Sequence, residues 1–419
     1  MKTINSPTRT TTTRQPELLA PAGTWSCLVT AVDNGADAVY FGIKKLNMRD
    51  KAGNFEMNEL PKIMRYLHEH NKKGYLTLNT IYYNSELEKL KTVIAAAKDA
   101  EVDAIICWDM AAFSLAKEAG MPIHLSTQAS VSNYQAFRFF ADLGAERIIL
   151  ARECSLEAIA DINRQARRDG LRCEIETFVH GAMCVSISGR CFLSAETFGK
   201  SANRGQCLQP CRRLFKITDL EGENHEYELG RDYVLSPRDL CSIEMLPELI
   251  EAGISSFKIE GRIRPPDYVK TTVSCYRNAL DAIAAGTYTP ELSAGLKEEL
   301  AKTFNRGFSR GFYHGLDKDW ISRGLGAKEL KVYCGDVVNY YRKIGVAECA
   351  LRSSPLQPGD KILIHGKTTP AETSVITELQ INHQTVPIAE KGERCGFKVP
   401  FIVRPGDKVF KLIDADRES

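Results

Sequence analysis

From Glu17 onward, short apolar runs of strand type alternate with helical patterns, and this alternation restricts the fold more than any other feature. The first run, ELLAPAG (17–23), ends in a Pro/Gly turn and is followed by the helical stretch TWSCLVTAVDNGA (24–36). Further strands are expected at 37–43, 74–83, 103–110, 122–130, 146–153 and 172–181. Helices are expected at 58–73, 85–102, 134–145 and 155–170, the last with a Ser at its start and a Gly at its close. An eighth strand, ISSFKIEG (254–261), comes after a long insertion, and the helix at 265–286 closes the series. Eight strand–helix units with parallel-type connections are the number a TIM-like (β/α) barrel requires. An open doubly wound sheet is the alternative that the same alternation permits.

Past Gly286 the pattern changes. One more helix and a turn fill 289–312, and from about Leu330 short β runs follow one another, among them KVYCGDVVNYY, GDKILIHG, RCGFKVPF and GDKVFKL. Such spacing predicts a small all-β domain, a barrel or a sandwich. The expected organisation is a disordered tail at 1–15, a barrel at 16–312 with a cysteine-bearing loop at 181–241, a linker at 313–329 and a small β-barrel domain at 330–419. The Thr-rich start has no apolar core, so it does not read as a secretory signal. The longest apolar runs, such as AIICW (104–108), fall far short of the ~20 residues that span a bilayer, so no membrane span is expected and the cytoplasm is the expected location. With 26% charged residues and a net charge of only +2, the chain is not a globally basic nucleic-acid binder, although a local basic patch is allowed.

Thirteen cysteines in such a chain need an explanation, because cysteine clusters in reducing compartments more often bind metal or react than form disulfides. Cys27, Cys107, Cys154, Cys173 and Cys275 sit singly within expected elements and read as small buried hydrophobes. The loop after the seventh strand is different. It holds Cys184, Cys191, Cys207 and Cys211 within 28 residues, and Cys241 follows after 29 intervening residues. In a barrel this loop leaves the C-terminal face, where active sites are built. The spacings are looser than the paired C-x(2–4)-C pattern of zinc knuckles, which only Cys207 and Cys211 approach. Iron–sulfur clusters need four thiolates and tolerate loose spacing. Spacing alone leaves iron–sulfur, zinc and a redox pair all open. The segment is also basic: Lys200, Arg204, Arg212, Arg213 and Lys216 occur with no acid between them. Cations there would stabilise thiolates or bind a carboxylate or phosphate.

The segments ELLAPAG, GADAVYFG, ETFVHGAMCVSISGRCFLS, NRGQCLQPCRR, SPRDL and KIEGR resemble the hallmarks of the peptidase U32 family, the collagenase-like proteases, over roughly residues 17–310. The resemblance implies a 4Fe–4S cluster held by four cysteines, which map here to Cys184, Cys191, Cys207 and Cys241, with Cys211 as a fifth candidate. It further implies oxygen-independent hydroxylation with prephenate as hydroxyl source. The target would be a tRNA wobble uridine, a ribosomal RNA cytidine or a ubiquinone precursor. Length and the appended β domain fit the tRNA type best, with RNA as partner and room for a partner protein of the same family.

Polar residues at the strand ends supply the remaining candidates. Glu176 and Glu260 could act as acid or base, and His180 titrates near neutral pH. Arg152 or Arg262 could clamp a carboxylate such as prephenate's, beside Asn79, Gln128 and Lys258, with Arg204 contributing from the basic loop. Each could instead be a salt-bridge partner in the barrel core. A peptidase finds little support: H-E-x-x-H and G-x-S-x-G are both absent, and a Cys184–His180 nucleophile would conflict with Cys184 ligating iron.

Overall fold

The computed structural model describes residues 15–50, 52–187, 190–213, 217–218, 226–227, 233–315, 321–322 and 326–415. The expected tail up to residue 14, Lys216 and parts of the expected linker lie outside these residues.

Seven parallel strands pair in chain order: β1 (Glu17–Ala22), β2 (Ala38–Phe41), β3 (Lys73–Leu78), β4 (Ala104–Cys107), β5 (Ile123–Leu125), β6 (Arg147–Ile149) and β7 (Glu174–Gly181). β8 (Asp239–Cys241) lies in the insertion and runs antiparallel to the end of β7, with Cys241 opposite His180. β9 (Ser256–Ile259) then pairs in parallel with both β7 and β1, in the registers Ser256↔Glu176 and Glu17↔Ser256, and so closes an eight-stranded barrel. The open-sheet alternative is thereby excluded. The strands are short apolar runs buried on both faces, as a parallel sheet covered by helices demands.

The helices between the strands start where polar side chains cap them. Thr24 accepts from Cys27 N ahead of α1 (Trp25–Asp33), Asn133 from Ala136 N, and Ser155 from Ala158 N. The helix expected from Ser85 instead begins two residues later, at Leu87, after a 3-10 turn at Asn84–Glu86 in which the Glu86 carboxylate takes the free Tyr83 N–H at 2.9 Å.

Charge is built into the barrel interior toward the N-terminal ends of the strands. Arg147, 4% exposed, donates to Glu17, Glu174 (2.6 Å) and Glu176 (3.3 Å). Glu176 is fully buried and also receives Lys258 Nζ (2.8 Å) and Ser256 Oγ (3.2 Å). Each buried charge thus has its partner within hydrogen-bond reach.

The C-terminal region is one antiparallel sheet built on β10 (Glu329–Tyr341), β11 (Val346–Leu351), β12 (Lys361–His365), β13 (Glu372–Val375), β14 (Arg394–Lys398) and β15 (Lys408–Asp414). Its strands follow the order β13-β12-β15-β10-β11-β14, and two further short strands, Gln380–Ile381 and Gln384–Thr385, extend it beyond β14, so the region is all-β as expected. It buries its own apolar core, which includes Cys334, Val337, Cys349, Ile364 and Phe397. Two ion pairs tie the sheet to the barrel helix α9 (Pro266–Ala284): Lys331 to Asp267 (2.8 Å) and Lys270 to Glu372 (2.7 Å). Among the described residues no helix is long and apolar enough to cross a membrane.

Candidate active site

The C-terminal ends of the strands open into a small mouth. Tyr40, Thr77, Asn79, Gln128 and Phe178 line it, together with the cations Arg49, Arg152, Lys258 and Arg262 and one carboxylate, Glu260. Glu176 neutralises Lys258 from below, which leaves three guanidinium groups facing Glu260. Arg49 Nη2 lies 3.1 Å from Glu260, and Tyr40 Oη donates to Glu260 at 3.3 Å. Burial alone would raise the pKa of Glu260, but Arg49, Arg152 and Arg262 together hold it below the ordinary carboxylate value. Burial pushes Arg262 down to about 10, so it keeps its proton at neutral pH, and it donates to Thr77 Oγ1 at 2.6 Å. Arg152 donates to Ala182 O at 2.8 Å and lies over the Phe178 ring, yet its Nε is buried without a partner. A donor left this way on the wall of a cationic mouth suits an anionic ligand. Asn79 and Gln128 pair at 3.1 Å, and Asn79 Oδ1 also accepts from Met48 N.

A second cavity, of about 270 Å³, adjoins the mouth, and Met48, Arg49 and Glu260 line both. Its walls include Cys184, Cys191, Cys207 and Cys211. The loop that brings them there is pinned at several points. Gly181 (φ +106°) ends β7 so close to Glu260 O that a Cβ would come within 2.5 Å of it. Gly205 (φ +87°) lies against the loop after β2, where a Cβ would meet Asn47 O at 2.3 Å, and its carbonyl accepts from Asp50 N. Cys191 N donates to Asn203 Oδ1 (3.0 Å), and Arg212 donates to Ser236 Oγ (2.7 Å) and to Met183 O. Arg49 and Arg152 both feel the charge of Cys184, and Arg49 that of Cys207 as well, so thiolates in the cavity would be balanced from the mouth.

Among the described residues no three His, Cys, Asp or Glu side chains converge closely enough to hold one metal ion. Four thiols spread around one partly apolar cavity are the donor set that a polynuclear iron–sulfur group takes.

Four of the expected site residues lie away from the two cavities. Cys241 does not line the thiol cavity, whereas Cys211 does. Cys241 is 5% exposed, lies beside Tyr276 and Cys275, and burial pushes its thiol up to about 11. His180 is not at the mouth. It bonds Tyr276 Oη at 3.3 Å among Tyr268, Tyr276 and Phe308, and burial pushes it down to about 3, so it stays neutral and lines neither cavity. Glu176 is spent in the interior ion cluster described above and lines neither cavity. Arg204 lines neither cavity; its guanidinium forks onto Glu86, donates to Ile81 O (2.7 Å) and covers the Tyr83 ring, which fastens the cysteine loop to the loop after β3. The structure does bring together Asn79, Gln128, Arg152, Lys258, Glu260 and Arg262. Arg49 and Tyr40 were missed. The long connection after β2, residues 42–56, was the available signal, since most strand-to-helix loops in such folds are short.

Known proteins share this chain's sequence over most of its length. An uncharacterized protease of Methanocaldococcus jannaschii is 46% identical over 94% of this chain and 98% of its own. A collagenase of Porphyromonas gingivalis is 40% identical over 94% of this chain and 97% of its own. The tRNA hydroxylation protein P1 of Bacillus subtilis is 37% identical over 78% of each chain. Residues 23–321, which span nearly the whole barrel, match the sequence profile of peptidase family U32, and the chain belongs to that family.

Proposed function

We propose that the chain is an iron–sulfur enzyme that hydroxylates RNA without molecular oxygen, forming 5-hydroxyuridine in tRNA with prephenate as the hydroxyl donor. The observation that carries this reading is the shared wall: a four-thiol cavity and a cation-lined mouth meet at Met48, Arg49 and Glu260. Its kinship with a tRNA hydroxylation protein supplies the substrate class.

In this reading Cys184, Cys191, Cys207 and Cys211 hold a 4Fe–4S cluster, which supplies electron transfer when bound. The remaining work falls to the mouth. Arg49, Arg152 and Arg262 bind the two carboxylates of prephenate, for which planar guanidinium groups in a desolvated pocket are suited. Glu260, its pKa held below the ordinary value, orients Arg49 and is, among the described residues, the one carboxylate at the wall able to take up a proton. The Asn79–Gln128 amide pair offers hydrogen bonds to the polar edge of the base. The closed barrel below the mouth keeps water out.

The test is nucleoside analysis of tRNA from a deletion strain and from the same strain complemented. Loss of the 5-hydroxyuridine-derived bases, restored by the wild-type gene and not by a Cys191→Ala gene, is expected; unchanged tRNA nucleosides would overturn the assignment. Ribosomal RNA and quinone profiles of the same strains address the two sibling hydroxylations. The names of two relatives favour a peptidase. Against it, no histidine among the described residues lines either cavity, and the imidazole of His180 is occupied by Tyr276. Gelatin hydrolysis that survives loss of all four cavity cysteines would restore that reading.

A further inference from the structure

Phe192 follows Cys191 directly and leaves 75% of its surface in solvent, more than any other large hydrophobic side chain among the described residues. The segment that carries it is cationic. Residues 182–213 hold five Arg and Lys side chains against one acid, Glu196. Arg204 and Arg212 are spent on Glu86 and on Ser236 with Met183 O, but Arg190, Lys200 and Arg213 remain at the surface. Arg190 also lies over the Trp108 ring, and the Trp108 indole donates to Asn79 O at the mouth, so these contacts link Arg190 to the mouth.

An exposed ring set among cations beside a pocket is the arrangement by which proteins hold unpaired nucleotides: the ring stacks on a base, and the cations meet phosphates. A protein partner would favour a broader apolar patch with fewer charges. We propose that Phe192 is a stacking platform for a base of single-stranded or loop RNA, placed so that a neighbouring base reaches the barrel mouth. This rests on the RNA-hydroxylase reading and names the form in which the RNA is taken: unpaired at the target, with flanking bases engaged outside the pocket.

The test measures binding of the anaerobically purified protein, with its metal content verified, to a labelled anticodon stem–loop and to a fully paired duplex of equal length. Phe192→Ala should weaken stem–loop binding about five- to a hundred-fold, the range expected for loss of one base–aromatic stack. Phe192→Tyr should restore it, and duplex binding should not distinguish the three proteins. Phe192→Ala should leave the salt dependence of binding unchanged, whereas Lys200→Ala should reduce its slope by about one. Stem–loop binding by Phe192→Ala equal to wild type overturns the platform alone. A wild-type protein that binds neither RNA overturns the RNA-hydroxylase reading with it. A change in oligomeric state with RNA binding intact would assign the ring to a second copy of the chain and overturn the platform.

Discussion

Glu176→Gln removes the charge from the most buried carboxylate of the barrel with little change in volume. Glu176 is fully buried, 2.8 Å from Lys258 and 3.3 Å from Arg147. Removing one partner of a buried ion pair generally costs about 3–5 kcal/mol, because the other charge is left without compensation. The two cations will not suffer equally. Arg147 retains Glu17 and Glu174, whereas Lys258 has no second carboxylate within bonding distance. Burial already lowers the pKa of Lys258 despite Glu176, so in the variant Lys258 can release its proton and limit the damage. The expected loss is therefore near the lower bound, about 3 kcal/mol. The assay is urea unfolding of the barrel in wild type, Glu176→Gln, Lys258→Met and the double variant. Lys258→Met should be destabilised as well, and the double variant by clearly less than the sum, with a coupling of about 1–3 kcal/mol. A Glu176→Gln loss below about 1 kcal/mol, or lost activity at unchanged stability, would refute the structural role and return Glu176 to catalysis.

Cys211→Ser should lower the iron and sulfide content of anaerobically purified protein as strongly as Cys191→Ala does. Cys241→Ser should leave it unchanged; the reverse order would restore Cys241 as ligand. Arg49→Lys keeps the charge and loses the planar fork, so it should raise the KM for the anionic co-substrate about tenfold or more while the folding midpoint holds, which steady-state kinetics and thermal melts will show. Glu260 has a folded pKa below its ordinary ~4.3, so the stability it contributes is complete above that value and is lost as pH falls through the lower folded value. Glu260→Gln lacks this contribution, and the stability gap to wild type should therefore narrow below about pH 4; a gap that stays constant down to pH 2 would exclude the pairing with Arg49, Arg152 and Arg262.

What was legible in the sequence was what local pattern encodes. Period and turn residues marked all eight barrel strands, including β9 across an insertion of more than sixty residues, because each strand is a short apolar run that must be buried on both faces. Strand ends likewise pointed to Asn79, Gln128, Arg152, Lys258, Glu260 and Arg262. Where a side chain faces was not legible. His180 and Glu176 lie on the same strand as the mouth residue Phe178, yet one turns toward the helix Pro266–Ala284 and the other sits a layer deeper, among charges contributed by β1, β6 and β9. Those partners are as many as 159 residues away in sequence, so no local signal announces them. Cys241 lies away from the thiol cavity for the same reason: its pairing opposite His180 places its thiol beside Tyr276, a consequence of β8 lying antiparallel to β7.

The electrostatics make one site of the two cavities. Three guanidinium groups against one carboxylate would be an expensive surplus in a buried mouth if nothing balanced them. The balance is next door: Arg49 and Arg152 interact with Cys184, and Arg49 with Cys207, across the shared wall. Negative charge gathered in the cavity would stabilise the cations of the mouth, and a ligand anion entering the mouth would compete with it and with Glu260 for the same guanidinium groups, through Arg49, which lines both cavities. This coupling also explains why the loop after β2 is as long as it is: it must carry Arg49 over the barrel rim to reach both cavities, while Asn47 and Asp50 on the same loop hold Gly205 and thereby the cysteine segment itself.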